Sequence, residues 1–338
     1  MRLTRIALAL AFSAIASIIV STAAMAELLP QNFPNPDRAA LEQKLEQQRD
    51  LPPGQISGFV HIPDAKAGVL VQPLGREFRS FRTRAQPLID GALLGIAIAA
   101  MAALYFIAGP MRYKKDPQGR TIQRFTKFER FIHWLTSASF VWLSLTGLNL
   151  VFGRWLLEPV LGDNLYASFT ALAKLSHNSV GFAFMAGLVV MAIQWLTVNL
   201  PTKLDLEWIK AAGGIFGGPH PPAQKFNAGQ KMIYWIAVFG GAGISVTGVL
   251  LLVPFYFFGI EGMQLMQVVH SVIAALMMAV IIGHIYLGSI GVQGSLQAMT
   301  TGRVDRNWAA EHHALWLAEE EAKQQGAAGP TALPHPAE

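Results

Sequence analysis

No cysteine occurs in the chain, and that absence removes disulfides, thiolate iron–sulfur clusters, Cys-ligated zinc and covalent CxxCH attachment together. Charge is scarce as well. Asp, Glu, Lys and Arg make up 14% of the 338 residues while 52% are hydrophobic, against about a quarter charged in an ordinary soluble domain. Such a chain has lipid as its solvent. The formal net charge of +5 calls for no nucleic-acid partner, because Lys and Arg gather in short loops between apolar runs, where they act as a topology signal.

The N-terminus reads as an export signal. Arg2 and Arg5 precede an apolar run over residues 6–20, and Ala24-Met25-Ala26 offers small residues for cleavage before Glu27, so residues 1–26 are a signal peptide or an uncleaved anchor. Residues 27–87 are then exported. The stretch ALEQKLEQQRD suits a short exposed helix and Val69-Leu70-Val71 a strand, and no catalytic constellation stands among them. Arg76, Arg79, Arg82 and Arg84 lie just ahead of the next apolar run; an exported position fits them poorly under the positive-inside rule, and they read as a docking surface or a lipid-headgroup contact.

Five apolar runs follow, each with the ~20 residues a bilayer needs. The first, 88–110, carries one acid, Asp90, whereas 131–153, 175–202 and 232–260 carry no Asp, Glu, Lys or Arg; the last follows Glu261 and meets no charge until Arg303, so it must contain a helix end near Gly291 to Gly294. The fold class expected is an all-α integral membrane protein. Residues 88–110 form an additional transmembrane helix, 111–130 a basic loop, 131–292 a four-helix core and 293–338 a tail.

Arg112, Lys114, Lys115, Arg120, Arg124, Lys127 and Arg130 cluster between the first and second runs, while the links after the second and fourth carry Arg154 and Lys174 in one and no base in the other. This places the basic loop, residues 203–231 and the C-terminus in the cytoplasm, with residues 27–87 periplasmic, in the inner membrane of a bacterium. Trp134, Trp155, Trp195 and Trp235 lie near run ends, as an interfacial belt or simple packing would have them.

Histidines then sort by depth. In HSVIAALMMAVIIGH, His270 and His284 stand fourteen residues apart, which on a helix is roughly 21 Å along the axis and within about 40° of one face. His133 falls near the cytoplasmic end of the second run and His177 at the periplasmic start of the third, giving the pairs His133 with His284 and His177 with His270. One membrane histidine could be a buried hydrogen-bonding residue. Four matched in depth point to function, because polar groups in a bilayer are costly. Neutral imidazole is a good axial ligand for haem iron, and helical bundles build cofactor sites from inward-facing side chains. Two non-covalent, bis-histidine b haems are expected. Glycines at 181, 187, 240, 241, 243 and 248 suit either a macrocycle close to the backbone or helix–helix contact. His61, His220 and His335 lie in Pro-rich loops, His312 and His313 in the polar tail, and Met277 and Met278 read as packing.

FERFIHW, FNAGQKMIYW, HSVIAALMMAVIIGHIY and GSLQAMTTGRVDRNWAAEHHALW resemble the gamma subunit of membrane-bound respiratory formate dehydrogenase, a quinone-reducing di-haem cytochrome b, over roughly residues 120–320. The exported segment and the first apolar run depart from the shortest members, which have four spans. The resemblance implies partners: a molybdenum or tungsten catalytic subunit that oxidises formate, and an iron–sulfur subunit that passes electrons to the haem at His177 and His270. The haem at His133 and His284 would pass them to quinone. It also implies that Asn227, Gly229, Gln230 and His284 line the quinone pocket, FNAGQK supplying amides and a glycine that leaves the backbone open; an N-cap at Asn227 is the competing reading. The cytochrome subunit of a nickel–iron hydrogenase or another respiratory reductase is the alternative within the class, and a proton-coupled transporter the alternative outside it.

Overall fold

A computed structural model describes residues 73–214 and 221–327; the expected signal, the exported helix and the Val69–Val71 strand lie outside the described residues. The chain divides into two units, Met1–Phe81 and Arg82–Glu338. Of the first, helix α1 (Pro73–Ser80) is described. Arg82 and Arg84, which open the second, are exposed.

The second unit is built on α2 (Gln86–Ala103), α3 (Lys127–Leu156), α5 (Asp163–Trp195), α7 (Ala228–Leu252) and α8 (Ile260–Tyr286). Among the described residues five stretches, Phe78–Ala108, Lys127–Leu156, Asp163–Trp195, Ala228–Leu252 and Ile260–Gly291, are long and apolar enough to cross a membrane. The protein is an all-α integral membrane protein with a four-helix core and one additional helix ahead of it. Helices α3 and α5, joined through the one-turn α4 (Glu158–Leu161), pack on each other; α7 packs on α5 and α8, and α2 on the flank of α8. Phe140, Phe184, Leu188, Ile244 and Met277 fill the bundle interior, whereas Leu145, Val189, Phe239, Val246 and Leu276 face outward, as lipid requires.

Two of the long helices start at a capping box. Thr126 and Glu129 close a capping box on α3, with Thr126 Oγ1 accepting from the Glu129 amide at 3.1 Å and Glu129 Oε2 from the Thr126 amide at 2.8 Å. Asn227 and Gln230 do the same for α7. Helix α5 starts at Asp163, twelve residues ahead of the apolar run at 175. The polar-apolar segment DNLYASFTALAK is a helical extension lying on α3, where Tyr166 abuts Gly153 and Asn149 Nδ2 donates to Thr170 Oγ1 at 3.2 Å. His177 therefore sits well inside its helix instead of at its start. His270, ten residues into α8, does likewise.

The basic loop, the segment between α5 and α7 and the tail meet at one end of the bundle. Strand β1 (Thr121–Gln123) pairs antiparallel with β2 (Arg303–Asp305), Ile122 opposite Val304. Gly302, at φ +81°, turns the tail so that its carbonyl accepts from the amides of Arg124 and Phe125; a side chain there would meet the Phe125 carbonyl. Helices α6 (Lys203–Lys210), α9 (Ser295–Thr300), α10 (Arg306–His312) and α11 (Ala314–Ala327) complete this end. The apolar core of the bundle continues into this end through Phe125, Trp195, Phe226, Trp308 and Trp316. Trp195 is thus a packing residue, while Trp134 and Trp155 are exposed.

Candidate functional site

Helix α8 carries His270 and His284 on one face, and each meets a histidine from another helix. The rings of His133, on α3, and His284 are 6.4 Å apart between centroids at 60°; those of His177, on α5, and His270 are 6.3 Å apart at 63°. The pairing by depth read from the sequence is the pairing in space. Among the described residues α8 is not closely packed on α3 or α5, so the two pairs span an interhelical gap.

That spacing can be tested against a bound metal. A metal–imidazole bond of about 2 Å, plus roughly 1 Å from ring nitrogen to ring centre, puts two ligands on opposite sides of one ion about 6 Å apart by centroid. Both pairs match it. The donor set, two imidazoles at each level, also suits haem iron.

Second partners hold one of these pairs. Thr146 Oγ1 lies 2.8 Å from His177 Nδ1, and Thr247 Oγ1 lies 2.9 Å from His270 Nδ1. The residue after each threonine is glycine, and its backbone lies against the same ring: a Cβ would stand 3.7 Å from His177 Cε1 at Gly147 and 3.4 Å from His270 Cε1 at Gly248. At the other level His133 Nδ1 is buried and meets no hydrogen-bond partner among the described residues. In the sequence both threonines look like ordinary small residues of apolar runs. Their signal is the repeated tetrad Ser144-Leu145-Thr146-Gly147 and Ser245-Val246-Thr247-Gly248.

The six glycines singled out in the sequence divide. Gly187 receives Thr136, Gly240 Met277, Gly241 Leu188 and Gly243 Ile273, all helix–helix packing; Gly181 faces open space, and Gly248 faces His270. Met277 is buried packing, as expected.

The FNAGQK segment reaches the His133 end of α3. Lys225 Nζ is 2.7 Å from Glu129 Oε1, one turn before His133, and Trp195 Nε1 donates to the same oxygen at 2.9 Å. Asn227 Oδ1 accepts from the Gln230 amide at 2.9 Å and Gln230 Oε1 from the Asn227 amide at 3.1 Å. The helix-cap reading is therefore realised, and it engages the two side-chain oxygens. Gly229 does not leave the backbone open: Trp208 lies where its side chain would stand, 2.7 Å from a Cβ. Beside the cap a small cavity is lined by Thr202, Asp205, Gln224, Asn227 and Lys231. Buried Lys231 pairs with Asp205 at 2.9 Å and donates to the Leu200 carbonyl.

His313, read from the sequence as a polar-tail residue, is 1% exposed. Its Nδ1 lies 2.8 Å from the Gln224 carbonyl and its Nε2 3.0 Å from Arg124 Nη2. Arg124 can only donate and a carbonyl can only accept, so His313 is neutral with its proton on Nδ1. Arg124, buried against Phe125, Trp308 and Trp316, also donates to the Lys225 carbonyl. Burial lowers its pKa to about 9, and burial together with Arg124 holds His313 well below 6.5.

Comparison with known proteins decides the family. The family model of prokaryotic cytochrome b561 matches residues 124–302, which takes in all four paired histidines. The chain belongs to this family. It is similar to the formate dehydrogenase cytochrome b556(fdo) subunit of Escherichia coli strain K12, 30% identical over 204 residues, 59% of this chain and 93% of that one. The nitrate-inducible formate dehydrogenase cytochrome b556(Fdn) subunit of the same strain is 28% identical over 215 residues, covering 60% and 95%. A formate dehydrogenase cytochrome b556 subunit of Haemophilus influenzae is 28% identical over 198 residues, covering 56% and 80%. The resemblance read from FERFIHW and the α8 helix is borne out. As a cytochrome of this family the chain is a haem b protein, and a transporter is set aside.

Proposed function

We propose that this chain is the membrane cytochrome b subunit of a formate dehydrogenase and carries electrons from a partner iron–sulfur subunit, through two b haems, to quinone. One observation carries the reading: two histidine pairs at ligand spacing, both reaching α8, in a chain whose curated relatives are formate dehydrogenase subunits. Those relatives also favour a formate dehydrogenase over a nickel–iron hydrogenase. Formate oxidation belongs to a catalytic molybdenum or tungsten subunit.

When bound, each haem supplies a one-electron ferric/ferrous couple. His177 and His270 would hold the one on the electron-receiving side, and His133 and His284 the one on the quinone side. Phe140, Phe184, Leu188 and Ile244, buried in the bundle, help keep water from the interior. The basic loop and the tail lie in the cytoplasm, because Arg112, Lys114, Lys115 and Arg120 gather there; residues 1–26 direct export, and the chain from 27 up to the first membrane stretch at Phe78 is periplasmic, in the bacterial inner membrane. The test is an optical spectrum of the purified complex. A reduced b band should appear with dithionite and equally with formate, and the formate response should vanish once the partner subunits are stripped away. No b band with dithionite would end the proposal.

Quinone binds at the His284 end, beside the start of α7. With their oxygens in the cap, Asn227 and Gln230 keep their amide N–H groups to donate to a quinone carbonyl, and Asp205 with Lys231 offers proton-exchanging groups beside them. Asn227→Ala is expected to retain both haems and their reduction by formate, to cost about 1 kcal/mol of cap stability, and to slow reoxidation by added quinone at least several-fold. Gln230→Ala should act the same way. Unaltered stopped-flow reoxidation in both variants would move the quinone elsewhere and leave the segment as a cap alone.

A further inference from the structure

The two threonines that touch His177 and His270 are placed alike. Thr146 Oγ1 lies 2.8 Å from the Trp142 carbonyl and 3.1 Å from that of Leu143; Thr247 Oγ1 lies 2.8 Å from the Gly243 carbonyl and 3.1 Å from that of Ile244. A hydroxyl has one hydrogen and two lone pairs. In each case the hydrogen goes to a carbonyl of its own helix, so toward the imidazole the oxygen accepts. Each ring then carries its proton on Nδ1 and presents a bare Nε2, the nitrogen a metal needs. The flanking Gly147 and Gly248 let each ring lie against the neighbouring helix.

An acceptor on Nδ1–H pushes electron density toward Nε2 and raises the ligand's basicity, which favours ferric iron over ferrous. Both ligands of one pair have this support. In the other pair, His133 Nδ1 is buried without a partner among the described residues.

We infer that Thr146 and Thr247 are positioning residues that make the haem held by His177 and His270 the lower-potential one of the two, which sets the direction of electron flow toward His133 and His284. The inference rests on the two-haem reading above. With haem bound at both levels, the threonine-supported pair would hold the better electron donor and the His133 and His284 pair the better acceptor, a downhill step built into the bundle.

The experiment is a potentiometric titration of the purified complex, followed in the b band, for Thr146→Val, Thr247→Val and the double variant, with low-spin ferric EPR as a second signature. The lower midpoint should rise in each single variant and further in the double one, while the upper midpoint stays in place; Thr→Ser at either site should restore it. His177→Ala, which removes the supported haem, should leave only the upper midpoint. If valine costs haem, Thr146→Cys and Thr247→Cys put a weaker acceptor in the same place and should show a smaller rise with both haems kept. Unchanged midpoints in haem-replete valine or cysteine variants, or a rise confined to the upper midpoint, would overturn the inference. A wild-type complex with fewer than two haems per chain would instead overturn the two-haem reading.

Discussion

Alanine at His177 or His270 is expected to remove one b haem and spare the other, and alanine at His133 or His284 to do the converse. Each imidazole has its own partner about 6 Å away between centroids, so losing one leaves a single nitrogen, too few to hold a non-covalent bis-histidine haem. Pyridine haemochrome content should fall by about half in all four variants, and the surviving midpoint should differ between the two pairs. With quinone reduced at the His133 and His284 level, as proposed, either loss should also abolish quinone reduction by formate. Full haem content in all four would dissolve the ligand assignment. Membrane insertion is expected to survive, because the helices are held by Phe140–Phe184 contacts and the close approach of Thr136 to Gly187, none of which involves a histidine.

The second large effect lies at the basic end. Arg124→Ala removes a buried guanidinium that donates to the Lys225 carbonyl and to His313 Nε2 and lies over three aromatic rings. A charge-assisted hydrogen bond and cation–π contacts of this kind together amount to on the order of 3 kcal/mol. Amide exchange in β1, β2 and α10 should accelerate by about two powers of ten, while α5 and α7 stay protected. Acid should act on the same junction. His313 is held neutral well below 6.5, so between its folded pKa and 6.5 the unfolded tail binds more protons than the folded one, and stability falls as pH drops through that window. Above 6.5 the effect vanishes. His313→Gln, which keeps a donor and an acceptor and cannot titrate there, should flatten the pH dependence of exchange. An equal acid response in that variant would point to another group.

The paired histidines were legible because a polar ring in an apolar run stands out and helical spacing then assigns its face. The five spans were legible for the same reason, through the near absence of charge. What stayed hidden shares a physical cause. Thr146 and Thr247 satisfy their own hydroxyls on helix carbonyls, so in a membrane segment they look like ordinary small residues, and only the repeated Ser-x-Thr-Gly tetrad hints at more. Arg124 and His313 read as loop and tail charges because their burial comes from a contact across 189 residues. The first three turns of α5 were missed since hydropathy marks where lipid lies, not where a helix begins. Gly229 was misread for want of Trp208, which arrives from α6.

Both histidine levels hang on α8, whose hydrogen-bonded ladder is continuous from Ile260 to Tyr286. The helix is a ruler. Its fourteen residues fix the rise between His270 and His284 at about 21 Å, and a rigid spacing cannot serve as a throttle, since sliding α3 or α5 tilts a ring without lengthening the ruler. One inserted residue between them would swing His284 by about 100° away from His133, whereas seven would return it to within about 20° of its bearing, roughly 10 Å farther along. On the proposed electron path, control of throughput therefore belongs to the two ends of the bundle, and the middle would work as a wire of fixed length.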